Sequence, residues 1–480
     1  MLFNSVHFAI FFPIVVVAYF ALPQRMRWML LLAASYYFYM AWEPSYVVLL
    51  LAATVINYWA GLKMGESGSL AARRTYLVLG VSTSLGILFF YKYFNLFNDT
   101  MRGVFDGLDV FYGVPDLHVL LPVGISFYTF QTLSYTIDVY RGEKGPERHF
   151  GIFALYVSFF PQLVAGPIER STRLLPQFYE EHEFDYGRVT AGLKLMVWGF
   201  FKKLVIADRL AIYVNQVYEA PQEFTGPVLI IATVFFAYQI YCDFSGYSDI
   251  AIGASRIMGY DLMVNFRHPY VSKSIREFWH RCHISLSTWF RDYLYIPLGG
   301  NRVGKWRWYY NLFITFVISG LWHGANWSFV VWGALHGFYQ LFAIWTADLR
   351  HAATEAIGLA GVPKLHGAVK IAVTFSLAVF AWIFFRADTI QDALYVAGHL
   401  ASGFGATTDI YLSMGPYEFW IGVIAIALLE TVHAMQRRGD IIGVLAARPL
   451  VMRWAVYYAA VIGILVFGEF GGQEFVYFQF

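Results

Sequence analysis

The sequence predicts an all-α, polytopic membrane protein, and three observations support this. Only 14% of its 480 residues are charged, whereas soluble globular chains carry roughly 25%. Hydrophobic residues make up 58% of the chain, and apolar runs recur along its whole length. A closed β-barrel, the other structure that can span a bilayer, would show alternating segments of about ten residues, which this chain lacks. At about 20 residues per span, the length accommodates roughly 11 to 13 helices.

The net charge and the cysteines exclude several classes of protein. A net charge of +2 gives no electrostatic reason to expect a nucleic-acid partner. The two cysteines, Cys242 and Cys282, lie in different segments, which argues against a disulfide framework. Neither these cysteines nor the histidines have the spacing of a zinc site. We therefore expect no bound metal and no bound cofactor.

Five spans are predicted in the first 140 residues. Basic residues follow the first, third and fifth of them, whereas the loop after the fourth is acidic. By the positive-inside rule, this places the N-terminus outside. The first apolar run has no basic residue before it and no A-x-A site, so we interpret it as a retained helix rather than a signal peptide. The predicted spans are residues 8–22, 28–42, 46–62, 76–90 and 120–140.

The regular alternation ends at residues 150–167. This stretch is apolar, but the sequence P-x-x-x-x-G-P at its end interrupts any helix. It therefore predicts a broken or re-entrant segment, which is tolerated at membrane depth only where it is buried in protein or lines a cavity. A following helix at 193–201 is expected to end at the cytoplasmic face with Lys202 and Lys203. Residues 204–218 and 228–241 then cross outward and back.

Residues 242–307 are too polar to span and carry many Lys and Arg, which places them inside. They are expected to form amphipathic helices at the membrane interface. We interpret the D-F-S-G-Y-S-D run at 243–249 as a capped turn at a helix start. Five further spans complete a single integral-membrane domain over residues 1–480, without a soluble domain: 311–322, 327–345, 369–385, 419–433 and 454–467.

Two histidine motifs contain the candidate catalytic residues. The first, R-E-F-W-H-R-C-H-I-S-L-S, contains His283, and the second, S-G-L-W-H-G-A-N, contains His323 at the end of an apolar run. Ionisable groups inside a membrane are costly and are functional by default. Acyl transfer to a hydroxyl needs a base, for which histidine is well suited near neutral pH, and donors for the developing oxyanion. Trp322 and Asn326 carry suitable N–H groups. The motifs therefore predict an acyl-transfer site.

Each of these features also has a structural interpretation. A histidine in an apolar span can be a hydrogen bonder between helices, and we interpret His336 in this way. His280 is interpreted as a residue of the membrane interface. The arginines and aromatic residues around His283 can form an interfacial belt in which charged heads reach the water.

The chain resembles the membrane-bound O-acyltransferase family and, within it, the bacterial alginate O-acetylase type. The likeness covers nearly the whole chain, from M-L-F-N-S at the N-terminus to F-V-Y-F-Q-F at the C-terminus. One position departs from the family pattern, because the residue before His283 is usually Trp and is Cys282 here. The other matching stretches are residues 121–131, 135–142, 164–168, 241–253, 283–302 and 320–326.

The resemblance implies a fold and a mechanism. The family fold is a ring of tilted helices around a thin central region, entered by a funnel from each side. The signature histidine falls on His323, expected to be catalytic, and the second family histidine falls on His283. Acetyl would be taken from a cytoplasmic thioester, acetyl-CoA, at the bacterial inner membrane. It would pass to a periplasmic or membrane-anchored acetyltransferase partner, which acetylates a polysaccharide.

The expected site therefore combines two catalytic histidines with six binding residues. Cationic side chains can bind the phosphates of the donor, and polar groups beside the histidines can position the thioester and the acceptor. The expected binding residues are Trp322, Asn326, Ser287, Arg281, Arg291 and Lys305.

Three alternatives remain open at this point. The same chemistry could serve peptidoglycan or cellulose instead of alginate. A transporter or flippase of a lipid-linked sugar would suit a broken segment and intramembrane histidines, although no inverted repeat is found. A scaffold for a periplasmic partner is the third.

Overall fold

The computed structural model of the chain describes residues 1–404, 409–439, 441–471 and 475–476. These residues form α-helices joined by turns and by short 3-10 or π segments, and no strand occurs among them. The prediction of an all-α protein is confirmed. Residues 1–195 with 251–264 form one compact unit, and residues 196–250 with 265–480 form a second. The prediction of a single integral-membrane domain over residues 1–480 stays a prediction.

The described residues contain 22 α-helices. The first eleven are α1 (Val6–Ala21), α2 (Gln24–Met40), α3 (Val47–Glu66), α4 (Leu70–Leu88), α5 (Phe94–Asp106), α6 (Ile125–Arg141), α7 (Phe150–Ser158), α8 (Phe160–Leu163), α9 (Ser171–Gln177), α10 (Tyr186–Phe200) and α11 (Asp208–Glu219). The others are α12 (Gly226–Met258), α13 (Ile275–Arg281), α14 (Ile284–Phe290), α15 (Lys305–His323), α16 (Trp327–Trp345), α17 (Ala347–Ala356), α18 (Pro363–Arg386), α19 (Ile390–His399), α20 (Gly415–Gln436), α21 (Ile441–Ala446) and α22 (Leu450–Phe467).

Six helical stretches of the described residues are long and apolar enough to cross a membrane. Other predicted spans form helices that are shorter or less apolar. For example, α15 and α16 have 19 residues each and carry aromatic residues, glycines and histidines. The multi-pass membrane protein is thus supported, while the number of 11 to 13 spans stays a prediction. The six stretches are Pro44–Glu66, Leu70–Asp106, Gly226–Met258, Pro363–Arg386, Leu412–Gln436 and Leu450–Phe467.

The segment predicted to be broken, residues 150–167, is interrupted at residue 159. Helix α7 ends at Ser158, Phe159 has a non-helical ψ of 110°, and α8 is only four residues long. Every residue from 152 to 169 is buried. The amide N–H of Phe160, left without a helical partner by the break, donates to the Ser35 hydroxyl at 3.0 Å. The interrupted backbone is therefore satisfied by the protein itself, as an apolar environment requires.

Helix α10 ends at Phe200, close to the end predicted at Lys202 and Lys203, but neither lysine is exposed as a residue at an aqueous face would be. They lie in a π segment, Phe201–Ala207, that joins α10 directly to α11. Both side chains are buried and are neutralised by carboxylates instead of water. We call Lys202, Lys203 and their three partners the lysine–aspartate cluster. In it, the Lys203 ammonium lies 2.8 Å from Asp208 and 2.7 Å from Asp243, and Lys202 lies 2.7 Å from Asp249.

The D-F-S-G-Y-S-D run is also not a capped turn. It lies within α12, which continues without interruption from Gly226 to Met258. The run is polar because two of its carboxylates belong to the lysine–aspartate cluster. Hydropathy along the chain cannot show this, since it does not reveal that each charge meets an opposite one from another helix.

Helices α15 and α16 approach each other closely at a pair of glycines. A Cβ atom on Gly333 would come within 3.1 Å of the Gly320 Cα, so the two backbones can be this close only without side chains. His323 ends α15 one turn after Gly320, and its ring lies against Trp332 of α16, with centroids 4.8 Å apart. The glycine contact therefore fixes where the histidine of the second motif lies.

Candidate active site

His323 is held by the helix that it ends. Its side chain is 3% exposed, and its Nδ1 lies 2.6 Å from the backbone carbonyl oxygen of Ser319, one turn earlier in α15. A carbonyl oxygen can only accept, so Nδ1 carries the proton that is donated. In the neutral ring Nε2 is then the nitrogen that can take up a proton, which is the state a general base needs.

His283 occupies the turn between α13 and α14 in an unusual backbone conformation. Its φ of 45° and ψ of 55° lie in the left-handed region, which costs a non-glycine residue about 1–3 kcal/mol and persists only when neighbours enforce it. Asn265 enforces it here. The Asn265 carbonyl accepts from the N–H of Ile284 at 2.9 Å, and its Oδ1 accepts from the N–H and hydroxyl of Ser285 at 3.2 and 2.9 Å.

Both imidazole rings line one cavity inside the second unit. Their centroids are 6.2 Å apart and their planes are nearly perpendicular, at 76°. The cavity has a free volume of about 20 Å³, which is room for about one water molecule. Apart from the histidines and one thiol, its walls are apolar or aromatic. They are formed by Ile240, Tyr241, Phe244, Phe266, Pro269, Tyr270, Trp279, Cys282 and Trp382.

Two tryptophans of these walls are held by their neighbours. The Trp279 indole N–H donates to Nδ1 of His336 at 3.3 Å. Trp382 stacks on Trp332 with centroids 5.6 Å apart and planes at 23°, and Trp332 in turn contacts His323. His336 is fully buried and bonds a side chain from another helix, which agrees with its structural interpretation. His280 is exposed, as a residue of the interface would be.

Trp322 lies near both histidines, whereas Asn326 caps the start of helix α16. The Trp322 ring is buried, with centroid distances of 6.0 Å to His283 and 5.0 Å to His323. The Asn326 amide is used at both ends: its Oδ1 accepts from the N–H of Ser328 at 3.0 Å, and its Nδ2 donates to the Asp388 carbonyl at 2.8 Å. This is a helix cap for α16, and the role of Asn326 as an oxyanion donor stays a prediction.

The remaining predicted binding residues do not belong to the cavity walls. The hydroxyl of Ser287 donates to the Cys282 carbonyl at 3.2 Å, within the turn that carries His283. Arg281 pairs with Glu277 at 2.8 Å, and Arg291 pairs with its neighbour Asp292 at 2.7 Å. Lys305 is exposed at the start of α15. Their roles toward a donor's phosphates stay predictions.

Comparison with known proteins identifies the family to which the chain belongs. Residues 42–385 match the model of the membrane-bound O-acyltransferase family. The chain belongs to this family. It is therefore an O-acyltransferase and a multi-pass membrane protein, and the prediction of an enzyme is confirmed.

The relatives are named for three different activities. A probable alginate O-acetylase of Pseudomonas putida is 44% identical over 408 residues, covering 84% of this chain and 80% of the relative. A peptidoglycan O-acetyltransferase of Helicobacter pylori is 34% identical over 453 residues, covering 87% and 83%. A teichoic acid D-alanyltransferase of Streptococcus thermophilus is 29% identical over 221 residues, covering 43% and 52%.

Several residues that shape the candidate site were missed by the sequence analysis. Asn265 holds the His283 turn from 18 positions earlier, and no local pattern marks it. Tyr270, Ile240 and Trp382 line the cavity but occur in apolar or aromatic stretches, where such residues are common. Trp279 and Cys282 lay in the motif of His283, and Tyr241 and Phe244 lay in the matching stretch 241–253, but no pattern marked any of the four as a wall of the cavity.

Proposed function

We propose that this protein transfers acetyl groups from acetyl-CoA to the hydroxyls of an exported polysaccharide, with alginate as the first candidate. The observation that carries the proposal is the shared cavity of His323 and His283, in which the proton-accepting nitrogen of His323 is set by the Ser319 carbonyl. The relatives named as O-acetylases support acetyl as the transferred group.

The proposed chemistry assigns His323 as the general base. Its Nε2 takes the proton of the acceptor hydroxyl as the oxygen attacks the thioester carbonyl. The tetrahedral intermediate then collapses, the C–S bond breaks, and the protonated imidazole returns the proton to the leaving thiolate. Proton transfer by a positioned side chain contributes roughly 10²–10⁴ in rate. His283, whose ring centroid lies 6.2 Å from that of His323, positions the thioester next to the His323 ring.

The proposal includes a direction. The donor enters from the cytoplasm at the bacterial inner membrane, and the acetyl group leaves on the periplasmic side, directly or through a separate acetyltransferase partner. The many Lys and Arg of residues 242–307 support a cytoplasmic face for that segment. The donor's charged phosphates stay in water on that side, and only the acyl end has to reach the apolar cavity.

Peptidoglycan is the second candidate acceptor. The observation that favours it is the relative in Helicobacter pylori, which matches a larger share of this chain than the alginate-type relative does, at lower identity. Ester-linked acetate measured separately on the exopolysaccharide and on purified peptidoglycan, with and without the gene, distinguishes the two acceptors.

The base assignment is tested by replacing one histidine at a time. His323→Ala is expected to lower ester-linked acetate on the polymer by about 10²–10⁴, at unchanged abundance of the protein in the membrane. His280→Ala is the matched control, since His280 lies in the first motif but is exposed; it is expected to keep full acetylation. Full acetylation by His323→Ala would end the proposal.

A further inference from the structure

The start of helix α15 is strongly basic. Arg302, Lys305 and Arg307 lie close together in the sequence, and no Asp or Glu occurs among residues 293–347. Every residue from 301 to 307 is exposed. Among the residues that the structure describes, no carboxylate pairs with any of the three cations. We call Arg302, Lys305 and Arg307 the basic segment.

The backbone that carries the basic segment is held in an ordered turn. The side chain of Asn311 is fully buried, and its Nδ2 donates to the carbonyl oxygens of Leu298 and Gly300 at 3.0 and 3.1 Å. The Trp308 indole N–H donates to the Tyr295 hydroxyl at 3.0 Å. Because this backbone is already fixed, little of its conformational freedom is lost when a ligand binds to the cations.

Three exposed aromatic rings lie beside the basic segment. Trp306 is 82% exposed, Tyr310 is 51% exposed, and Trp345, at the end of α16, is 52% exposed. The ring of Tyr309 joins two of them, with its centroid 5.9 Å from those of Trp306 and Trp345. Trp and Tyr are enriched at membrane interfaces, where the ring meets apolar chains and its polar group meets water or headgroups. The rings therefore mark the depth of the lipid headgroups, and the basic segment lies at that depth.

We propose that the basic segment binds the phosphate groups of anionic phospholipids at the membrane face where α15 begins. The rings and the charges together select this ligand, because a phospholipid offers both an apolar chain and an anionic headgroup. The positive-inside rule predicts that this segment faces the cytoplasm, where the leaflet carries negative lipids. Each Lys or Arg near such a surface strengthens binding by roughly fivefold.

The phosphates of the acyl donor are the other source of the same chemistry, and Lys305 is a predicted contact for them. The donor needs the three cations but has no use for an exposed indole beside them. The Trp306 side chain, which faces outward, therefore favours the lipid. The acetyl-CoA concentration for half saturation separates the two ligands, since only a donor site would change it.

The test measures how tightly the detergent-purified full chain binds labelled phosphatidylglycerol, with phosphatidylcholine carrying the same label as the reference. The unaltered chain is expected to prefer phosphatidylglycerol by at least about tenfold, and less at high salt. Arg302→Gln combined with Arg307→Gln is expected to reduce this preference about tenfold. Trp306→Ala is expected to weaken the binding of both lipids by a similar factor, because it removes apolar contact and no charge.

A matched control removes the same charge elsewhere in the second unit. Arg437 and Arg438 are also exposed, and replacing both by Gln is expected to leave the preference for phosphatidylglycerol unchanged. Equal losses in the two double variants would overturn the proposal, because binding would then follow net charge. An unchanged preference in the Arg302 and Arg307 variant would also overturn it. If that variant instead raised the acetyl-CoA concentration for half saturation, the basic segment would belong to the donor.

Discussion

Two buried polar regions of the second unit look alike in the sequence and differ in structure. The lysine–aspartate cluster places five charged side chains among apolar helices, and each lysine has at least one carboxylate within 2.8 Å. The histidine cavity places two imidazoles beside an open volume whose other walls are apolar or aromatic. Ionisable groups inside a membrane are functional by default. The comparison adds that opposite charges in contact indicate a structural role, whereas titratable rings beside free space indicate chemistry.

The strongest test of the comparison removes a charge from the cluster. Lys203→Met leaves Asp208 and Asp243 buried without their cation, and breaking a buried pair in this way costs about 3–5 kcal/mol. We expect a large loss of folded protein from the membrane. It is measured as the abundance of the protein in the membrane and as the temperature at which the detergent-solubilised protein aggregates.

A matched control is the exposed pair of Lys63 and Glu66, whose charged atoms are also 2.8 Å apart. Lys63→Met is expected to leave abundance unchanged, since exposed pairs contribute little. Combining Lys203→Met with Asp208→Asn and Asp243→Asn should recover part of the lost stability. If Lys203→Met instead accumulated normally and lost only acyl transfer, the cluster would be catalytic and the comparison would fail.

An intermediate effect is expected when the His283 turn loses its anchor. Asn265→Ala removes the Oδ1 acceptor of two Ser285 donors and leaves a buried N–H unsatisfied, at a cost of about 1–3 kcal/mol. Because His283 is held in a left-handed conformation, we expect the turn to relax and the ring to leave its position. Acetyl transfer at saturating donor should fall on the order of tenfold to a hundredfold, with most of the protein still in the membrane.

Asn265→Asp sharpens that test, because a carboxylate keeps the acceptor oxygen for both Ser285 donors. We expect it to recover transfer relative to Asn265→Ala. Equal losses in the two variants would mean that the hydrogen bonds to Ser285 do not position His283.

The smallest effect is expected at Asn326. Asn326→Ser preserves an N-cap oxygen for α16, so the change in stability should stay within roughly 0.5 kcal/mol, and transfer should remain near that of the unaltered chain. Removal of a true oxyanion donor would cost roughly 10²–10³ in rate. A loss of that size, measured as labelled acetyl transferred per unit of protein, would return Asn326 to the catalytic site.

The sequence predicts that the chain is helical and spans a membrane, because its composition shows this directly. It also points to His283 and His323 as candidate site residues, because each lies in a short motif that can be recognised without knowing the fold. It fails where partners come from distant positions. The carboxylates at Asp243 and Asp249 were interpreted as part of a turn because the lysines that they pair with lie far earlier in the chain, at positions 203 and 202. The cap made by Asn326 is also hidden from the sequence, because its acceptor, the carbonyl of Asp388, lies far along the chain. Asn265 and Trp382 become visible only when the helices are packed.

The most direct test of the central claim, a catalytic imidazole beside a small cavity, is a rate measured on purified protein. The full chain and His323→Asn are reconstituted in vesicles, and the release of CoA from acetyl-CoA with polysaccharide acceptor is followed at saturating donor. Asparagine places an amide N–H where Nδ1 of the histidine lies and can keep the hydrogen bond to the Ser319 carbonyl, but it cannot act as a base. We predict a fall in rate of about 10²–10⁴ with little change in the donor concentration needed for half saturation. A rate within twofold of the unaltered chain would contradict the account.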